Sequence, residues 1–428
     1  MKHYRVKKSS LKGEIQIPSS KSHTLRAILF ASLAEGKSII YCYLPSSDTF
    51  SMIKACRLMG AIIDVFDDRL EIEGIAGNIS SFEDVIDSGN SGIVFRFFTA
   101  IGALTKHPVV ITGDHSIRHS RPIQPLLQAL SQLAVSTKTM RGDDGAPVIV
   151  EGPIKSGKAS LDGSDSQPVS ALIIASAFAE GPIEITVKNP GEKPWILLTL
   201  DWLDRLNIPY KRIDFHHYQL FGNAHYKGFE YVVPGDFSSA AFPIVAALVT
   251  QSELEIKNID IHDIQGDKAL IDVLQKMGAN IEIDEKKKAL NIKKGKRLSG
   301  ISVDINDFVD ALPILAVTAC FAEGNTLIYN GAIAKQKECN RIDAISKELQ
   351  KMGANIHETA DGLLIKNGPL KGAIVHSHHD HRIAMSLSVA ALGAIGETVV
   401  SDIDCVNKTF PSFVSDFQKL GAVVDEVV

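Results

Sequence analysis

One phrase recurs six times along the 428 residues, and no other feature constrains the fold as tightly. It is a polar loop, then an apolar stretch rich in Ala, Leu and Ile, then a small turn and a β-branched run. Its copies begin near Pro18 (PSSKSHTLRAILFASLAEG), Ser88 (SGNSGIVFRFFTAIG), Gly163 (GSDSQPVSALIIASAFAEG), Pro234 (PGDFSSAAFPIVAALV), Asp304 (DINDFVDALPILAVTACFAEG) and Ser377 (SHHDHRIAMSLSVAALG). Successive copies lie about 70 to 75 residues apart, too far for a solenoid unit. Each copy is therefore a small unit with several elements of its own.

A second phrase interleaves with the first. A helix ending in a small or polar residue runs into an alternating strand, as in RLMGAIIDV at Arg57, QKMGANIEI at Gln275, QKMGANIHE at Gln350 and QKLGAVVDE at Gln418. Looser copies read QLAVSTKTM and RLNIPYKRI. Gly60, Gly278, Gly353 and Gly421 suit the left-handed position that closes a helix, which glycine takes without strain. Helices of the first phrase are apolar almost all round and should be buried, whereas those of the second are amphipathic. A doubly wound sheet carries its helices outside; this pattern predicts helices inside and sheets outside.

Composition narrows the classes of function. With 45% hydrophobic residues the chain can bury a large core, and its length favours two domains. The longest apolar run, Ala311 to Ala322, falls well short of the roughly 20 residues of a membrane span. Met1 to Gly13 is basic and polar with no apolar stretch behind it, which predicts a cytoplasmic protein with no membrane partner. Five cysteines lie far apart with no CxxC pair, so they are expected to be reduced and mostly buried. A net charge of −5 gives no basic surface for nucleic acid. The basic run Lys286 to Arg297 brackets Ala289, Leu290 and Ile292 and reads as a strand with solvated flanks.

Chemistry should concentrate in the polar loops, because helix N-termini present free N–H groups and a dipole end that favours anions. These loops carry Lys21, Arg26, Arg96, Arg121, Asp310 and Arg382, with Lys337, Glu338, Arg341 and Lys408 near them in sequence. Cations recurring at the same place in successive repeats imply an anionic ligand.

At these positions the sequence resembles the enolpyruvyl transferases, and among them the branch that acts on shikimate 3-phosphate. The likeness covers nearly the whole chain and is carried, in the family's order, by SSKSHTLRA at Ser19, DSGNSGIVFR at Asp87, RPIQPLLQAL at Arg121, DSQPVSAL at Asp165, PGDFSSAAF at Pro234, DALPILAV at Asp310, KECNRIDAI at Lys337, HDHRIAMS at His379 and NKTFPSF at Asn407. It implies an α/β fold of the inverse barrel type, with two similar lobes of three βαβαββ units each. Residues 20–235 would form one lobe and residues 1–19 with 236–428 the other, with the active-site cleft between them. It also implies transfer of the enolpyruvyl group of phosphoenolpyruvate to the 5-hydroxyl of shikimate 3-phosphate, by a monomer without metal or organic cofactor.

By the same resemblance, Lys21, Gly92, Arg121, Gln167 and Lys408 would meet the phosphate of phosphoenolpyruvate, and Arg341 and Arg382 its carboxylate. Guanidinium forks match carboxylates, and lysines neutralise phosphate as point charges. Shikimate 3-phosphate would meet Lys21, Ser22, Arg26, Ser166, Gln167, Asp310 and Lys337. Asp310 would take the proton of the acceptor hydroxyl, while Glu338 serves the C3 carbon of phosphoenolpyruvate with help from Lys21.

The acceptor side departs from the family pattern. The family has two serines before the Gln and another before Lys-Pro-Tyr; here those positions read Asp165, Ser166, Glu192 and Trp195, with Lys193 placed to offset one charge. Two carboxylates beside a phosphate repel it unless turned away or protonated. Ile93 and Phe97 replace the family's Thr and Pro near Gly92, which predicts weaker inhibition by glyphosate. The run HSHHDH from His376 imitates a metal motif, yet it flows into the sixth apolar helix and has no second ligand cluster downstream. The related transferases that act on UDP-N-acetylglucosamine use a cysteine in the loop before Arg121, and Gly113 to Arg121 has none. Remaining alternatives are an enolpyruvyl transferase with another hydroxyl acceptor and a non-catalytic paralogue.

Overall fold

The structure is a computed structural model that describes residues 2–79 and 81–427. The chain divides into two compact units, Met1–Pro18 with Pro234–Val428, and Ser19–Val233. Each unit holds three four-stranded sheets, and none of these closes into a barrel among the described residues. One plan serves all six. In the sheet of Ile86–Asp87, Val109–Thr112, Val148–Glu151 and Ser136–Thr139, the first two strands are parallel across an apolar helix and the rest are antiparallel.

The chain departs from simple repetition where it passes from one unit to the other. Lys12–Gln16 precedes the first apolar helix in sequence, yet it pairs in parallel with Glu253–Lys257 of the later unit. Glu230–Val232, just before the fourth apolar helix, pairs with Glu35–Tyr41 of the earlier one. The two strands are exchanged. His3–Lys7 fills the middle of the last sheet, between Glu397–Ser401 and Val423–Val427.

The six apolar helices are Lys21–Leu33, Gly92–Gly102, Ser166–Phe178, Phe237–Val249, Leu312–Phe321 and His381–Gly393, and nearly every residue in them is buried. Side-chain caps start five of them: Ser20, Ser91, Asp165, Asp236 and Asp380 each accept a backbone N–H of the first turn. The fifth helix differs. It continues from a 3₁₀ segment, Asn306–Ala311, and has no side-chain cap, so Asp310 is left for other partners.

The amphipathic helices all end alike. After Leu58, Gln132, Arg205, Lys276, Lys351 and Lys419 comes a Leu or Met and then a residue with positive φ: Gly60, Ala134, Asn207, Gly278, Gly353 and Gly421. The following N–H groups of Ala61, Val135, Ile208, Ala279, Ala354 and Ala422 each donate to the carbonyl five residues back, the 6→1 bond of a Schellman motif. Helix and strand are thus joined by the same turn six times. Ala289, Leu290 and Ile292 are buried in Ala289–Lys293, so the basic run is a strand with solvated ends.

Each unit has its own apolar core. The cysteines correct one expectation. All five are free, but only Cys56 and Cys320 are buried; Cys42 and Cys339 fall in loops and Cys405 in the short 3₁₀ segment Asp404–Lys408.

Candidate active site

In the Ser19–Val233 unit the first turns of two apolar helices meet at Gly92. A β-carbon there would stand 2.9 Å from Arg96 Nη1, 3.1 Å from Gln167 Oε1 and 3.4 Å from Arg121 Nη1, so only glycine leaves the backbone open to a ligand. Arg96 is fully buried; its Nη1 donates to Gln167 Oε1 at 3.0 Å and its Nη2 pairs with Asp165 at 2.9 Å. Gly92, Arg121 and Gln167 are therefore brought together as the sequence suggested. Arg96 joins them as a support for Gln167, and its signal was a full charge inside an otherwise apolar helix.

Arg26 is also buried, and its guanidinium donates only to neutral oxygens: Thr199 Oγ1 at 2.9 and 3.0 Å, Ser22 O at 3.2 Å and Trp195 O at 3.4 Å. It lies 5.2 Å from the Phe97 ring centroid, so Phe97 is a platform for this cation. Burial pushes its pKa down to about 9. A buried cation held by neutral groups is a place for an anionic ligand. Lys21 sits nearby in sequence, its Nζ 3.5 Å from Asp48.

The two departures behave differently. Asp165 caps the Ser166–Phe178 helix by accepting from Gln167 N at 3.0 Å, and its charge is matched by Arg96. Glu192 is buried, and its Oε2 accepts from both Ser166 N and Ser166 Oγ at 3.2 Å. Lys193 does not offset it as expected; its Nζ lies over the Phe215 ring, 5.6 Å from the centroid.

The other unit gathers the remaining candidates around Arg341. This side chain is buried, with Nη1 2.7 Å from Asp310 Oδ1, Nη2 2.7 Å from Glu338 Oε2 and Nε 2.7 Å from Asp380 Oδ2. Arg382 Nη2 lies 2.7 Å from Asp310 Oδ2, and Lys408 Nζ 2.9 Å from Glu338 Oε1. Asp310 is thus gripped by two guanidinium groups, one on each oxygen. Arg382 Nε is buried with no hydrogen-bond partner. Lys337, also buried, adds its charge to the same group.

Burial alone would raise the Asp310 carboxyl, but Arg382, Arg341 and Lys337 outweigh it and hold the group well below the usual carboxylate range. Burial likewise opposes the charge of Arg341, and Asp380, Glu338 and Asp310 overcome it, so its pKa stands well above the ordinary value. Asp267 goes the other way. Burial and the Asp310 charge push it up to about 7; Ser238 Oγ donates to its Oδ2, while its Oδ1 has no hydrogen-bond partner. Sequence reasoning missed Asp267 and Asp380; for Asp380 the available signal was an aspartate before an apolar helix, as at Asp165 and Asp236.

The histidines of the metal-like run serve the loop. His378 Nε2 lies 2.8 Å from Glu348 Oε1, His379 Nδ1 2.6 Å from Asp402 Oδ2, and the His378 N–H donates to His376 Nδ1 at 2.8 Å. Among the described residues no group of three or more His, Cys, Asp or Glu is placed to hold a metal ion.

The sequence profile of one family, described as EPSP synthase (3-phosphoshikimate 1-carboxyvinyltransferase), matches residues 6–417. The chain belongs to the EPSP synthase family. A 3-phosphoshikimate 1-carboxyvinyltransferase from Chlamydia pneumoniae is 47% identical over 425 residues, covering 99% of this chain and 94% of the relative. One from Acetivibrio thermocellus is 42% identical over 418 residues, covering 98% of each. The solved EPSP synthase of Acinetobacter baumannii superimposes with a TM-score of 0.84 at 26% identity, over 100% of both chains.

Proposed function

We propose that the chain transfers the enolpyruvyl group of phosphoenolpyruvate to the 5-hydroxyl of shikimate 3-phosphate and releases inorganic phosphate, a step of aromatic amino-acid biosynthesis. The observation that carries this reading is the double grip on Asp310. Arg341 and Arg382 already hold one carboxylate between them, and the carboxylate of phosphoenolpyruvate would take these same forks. Lys21, Gly92, Arg121, Gln167 and Lys408 then serve its phosphate. Ser22, Arg26, Ser166, Gln167 and Lys337 serve the acceptor, Arg26 with its buried and otherwise neutral surroundings.

The charge balance supports an order of events. While Arg341 and Arg382 neutralise Asp310 it is a poor base. A substrate carboxylate arriving on both cations weakens that neutralisation and raises the proton affinity of Asp310 beside the acceptor hydroxyl. Asp310 takes the hydroxyl proton as the C–O bond forms at C2, and Glu338 with Lys21 moves the proton at C3. Collapse of the tetrahedral intermediate returns that proton and expels phosphate. The same reading has the chain acting as a monomer in the cytoplasm, which light scattering and cell fractionation test.

Phosphate release from phosphoenolpyruvate with shikimate 3-phosphate as acceptor is the deciding assay, with Lys21→Ala and Asp310→Ala as controls. Release that requires both substrates and vanishes in the controls is expected. Retained binding of phosphoenolpyruvate without release would mean another hydroxyl is the acceptor.

A further inference from the structure

Two carboxylates replace neutral residues where an acceptor phosphate is expected, and the structure separates them. Asp165 is matched by the buried Arg96 guanidinium at 2.9 Å. Glu192 takes both donors of Ser166, the backbone N–H and the hydroxyl, each at 3.2 Å. Those are the groups with which Ser166 would hold a phosphate at the first turn of its helix.

The placement of Glu192 is built into the backbone. Glu192 has φ of 46°, a left-handed conformation that a side-chain-bearing residue adopts only when its surroundings enforce it. Gly163 N donates to Lys188 O at 2.7 Å and Gly191 N to Gly163 O at 2.9 Å, which ties the Glu192 loop to the loop before Ser166. A β-carbon at Gly191 would come 2.7 Å from Ser164 O, so the two backbones are as close as glycine allows. The residue they deliver, Glu192, is 2% exposed.

A second, independent observation supports an anionic ligand in the same neighbourhood. Glu192 immediately precedes the Lys193–Arg205 helix, and the Trp195 carbonyl and Thr199 hydroxyl of that helix receive Arg26. Arg26 is a buried cation whose partners are all neutral. The helix that carries Glu192 at its start thus also supports a charge suited to the anionic acceptor.

We propose that Glu192 is a specificity-determining residue for the acceptor: its carboxylate occupies the Ser166 donors, and the phosphate of a phosphomonoester acceptor binds only by displacing it. This rests on the acceptor reading given above. Two anions competing for one pair of donors make the internal one an inhibitor of the external one. The phosphoenolpyruvate residues on Arg341 and Arg382 have no part in that competition.

The test is steady-state phosphate release by the full chain and by its E192Q and E192S variants, varying each substrate in turn. E192Q keeps the shape and one acceptor oxygen, so it guards against loss of fold. The KM for shikimate 3-phosphate should fall by about tenfold in both variants, the factor that one charge-assisted hydrogen bond represents. The KM for phosphoenolpyruvate should not move. An unchanged or higher KM for shikimate 3-phosphate in folded E192Q, with the wild type active, overturns this inference and leaves the function standing. No release by the wild type or either variant overturns both.

Discussion

Asp310 shows how much of the site depends on single groups. It lies at the start of an apolar helix without capping it, and its two oxygens are divided between Arg341 and Arg382. Asp310→Asn keeps the shape and removes the base, so kcat should fall by about 10² to 10⁴-fold, while the KM for phosphoenolpyruvate should fall because its carboxylate no longer competes with a charged Asp310 for Arg341 and Arg382; a kcat within threefold of wild type, roughly, would remove Asp310 as the base. Asp267 gives a second prediction at this scale. Its carboxyl is raised to about 7, so the folded state holds a proton that the unfolded chain has lost by about pH 4. The raised group is fully tolerated below its unfolded value, and its penalty accumulates as pH climbs towards the folded value and is constant above it. Asp267→Asn should therefore match wild type near pH 4 and exceed it by at most about 4 kcal/mol at pH 8; urea melts across that range would show a constant gap if the reasoning fails. Lys21 and Arg382 stand out in the sequence as charges in the first turns of apolar helices, whereas Arg121, Arg341 and Lys408 adjoin amphipathic helices and were grouped with them through the family resemblance. Asp267 and Asp380 did not stand out, since an aspartate before or near a helix reads first as a cap; Asp380 is one, and only its burial beside Arg341, like that of Asp267 beside Asp310, shows the further role.

At the scale of the element, periodicity revealed both kinds of helix, because an all-round apolar stretch has nowhere to go but inside. Four of the six helix ends were legible through their glycines. The other two were visible only as looser copies of the phrase, because Ala134 and Asn207 adopt the same left-handed turn without being glycine. That difference has an energetic consequence. Ala134 has φ of 65° and carries the strain of that region, whereas Gly353 at φ of 87° has open space around the position of a β-carbon, with Pro369 O the nearest atom at 3.9 Å. Ala134→Gly should stabilise its unit by about 1 kcal/mol and Gly353→Ala should destabilise its own by about the same amount. Thermal melts that shift in the same direction for both substitutions would show that packing, and not the left-handed turn, governs these ends. The 3₁₀ entry Asn306–Ala311 was beyond a periodicity reading, because it replaces the cap that the other five helices share.

At the scale of the whole molecule, the repeats alone would assign Lys12–Gln16 to the helix it precedes, and the strand pairing assigns it to the other unit. Local pattern says which segments are strands, but parallel partners distant in sequence are chosen by where the chain returns. The consequence is an asymmetry between the two units. All three sheets of Ser19–Val233 are made from its own residues, and its core is self-contained. The other unit needs Met1–Pro18: His3–Lys7 is an interior strand, Lys12–Gln16 an edge strand, and Tyr4, Val6, Leu11, Ile15 and Ile17 lie in its core. At roughly 1.5–3 kcal/mol for each buried apolar side chain, those five contribute of the order of 10 kcal/mol, as much as the net stability of a typical domain. A fragment of residues 19–233 should therefore melt cooperatively when expressed alone. Residues 234–428 should not, until a peptide of residues 1–18 is added, because without it Val423–Val427 has no strand to pair with and the last sheet loses its middle. Circular dichroism melts of both fragments with and without the peptide decide the matter. A cooperative transition in 234–428 alone at the temperature of the full chain would mean that the N-terminal strands decorate a core already complete, and that the strand exchange fixes the connectivity of the chain without holding its later unit together.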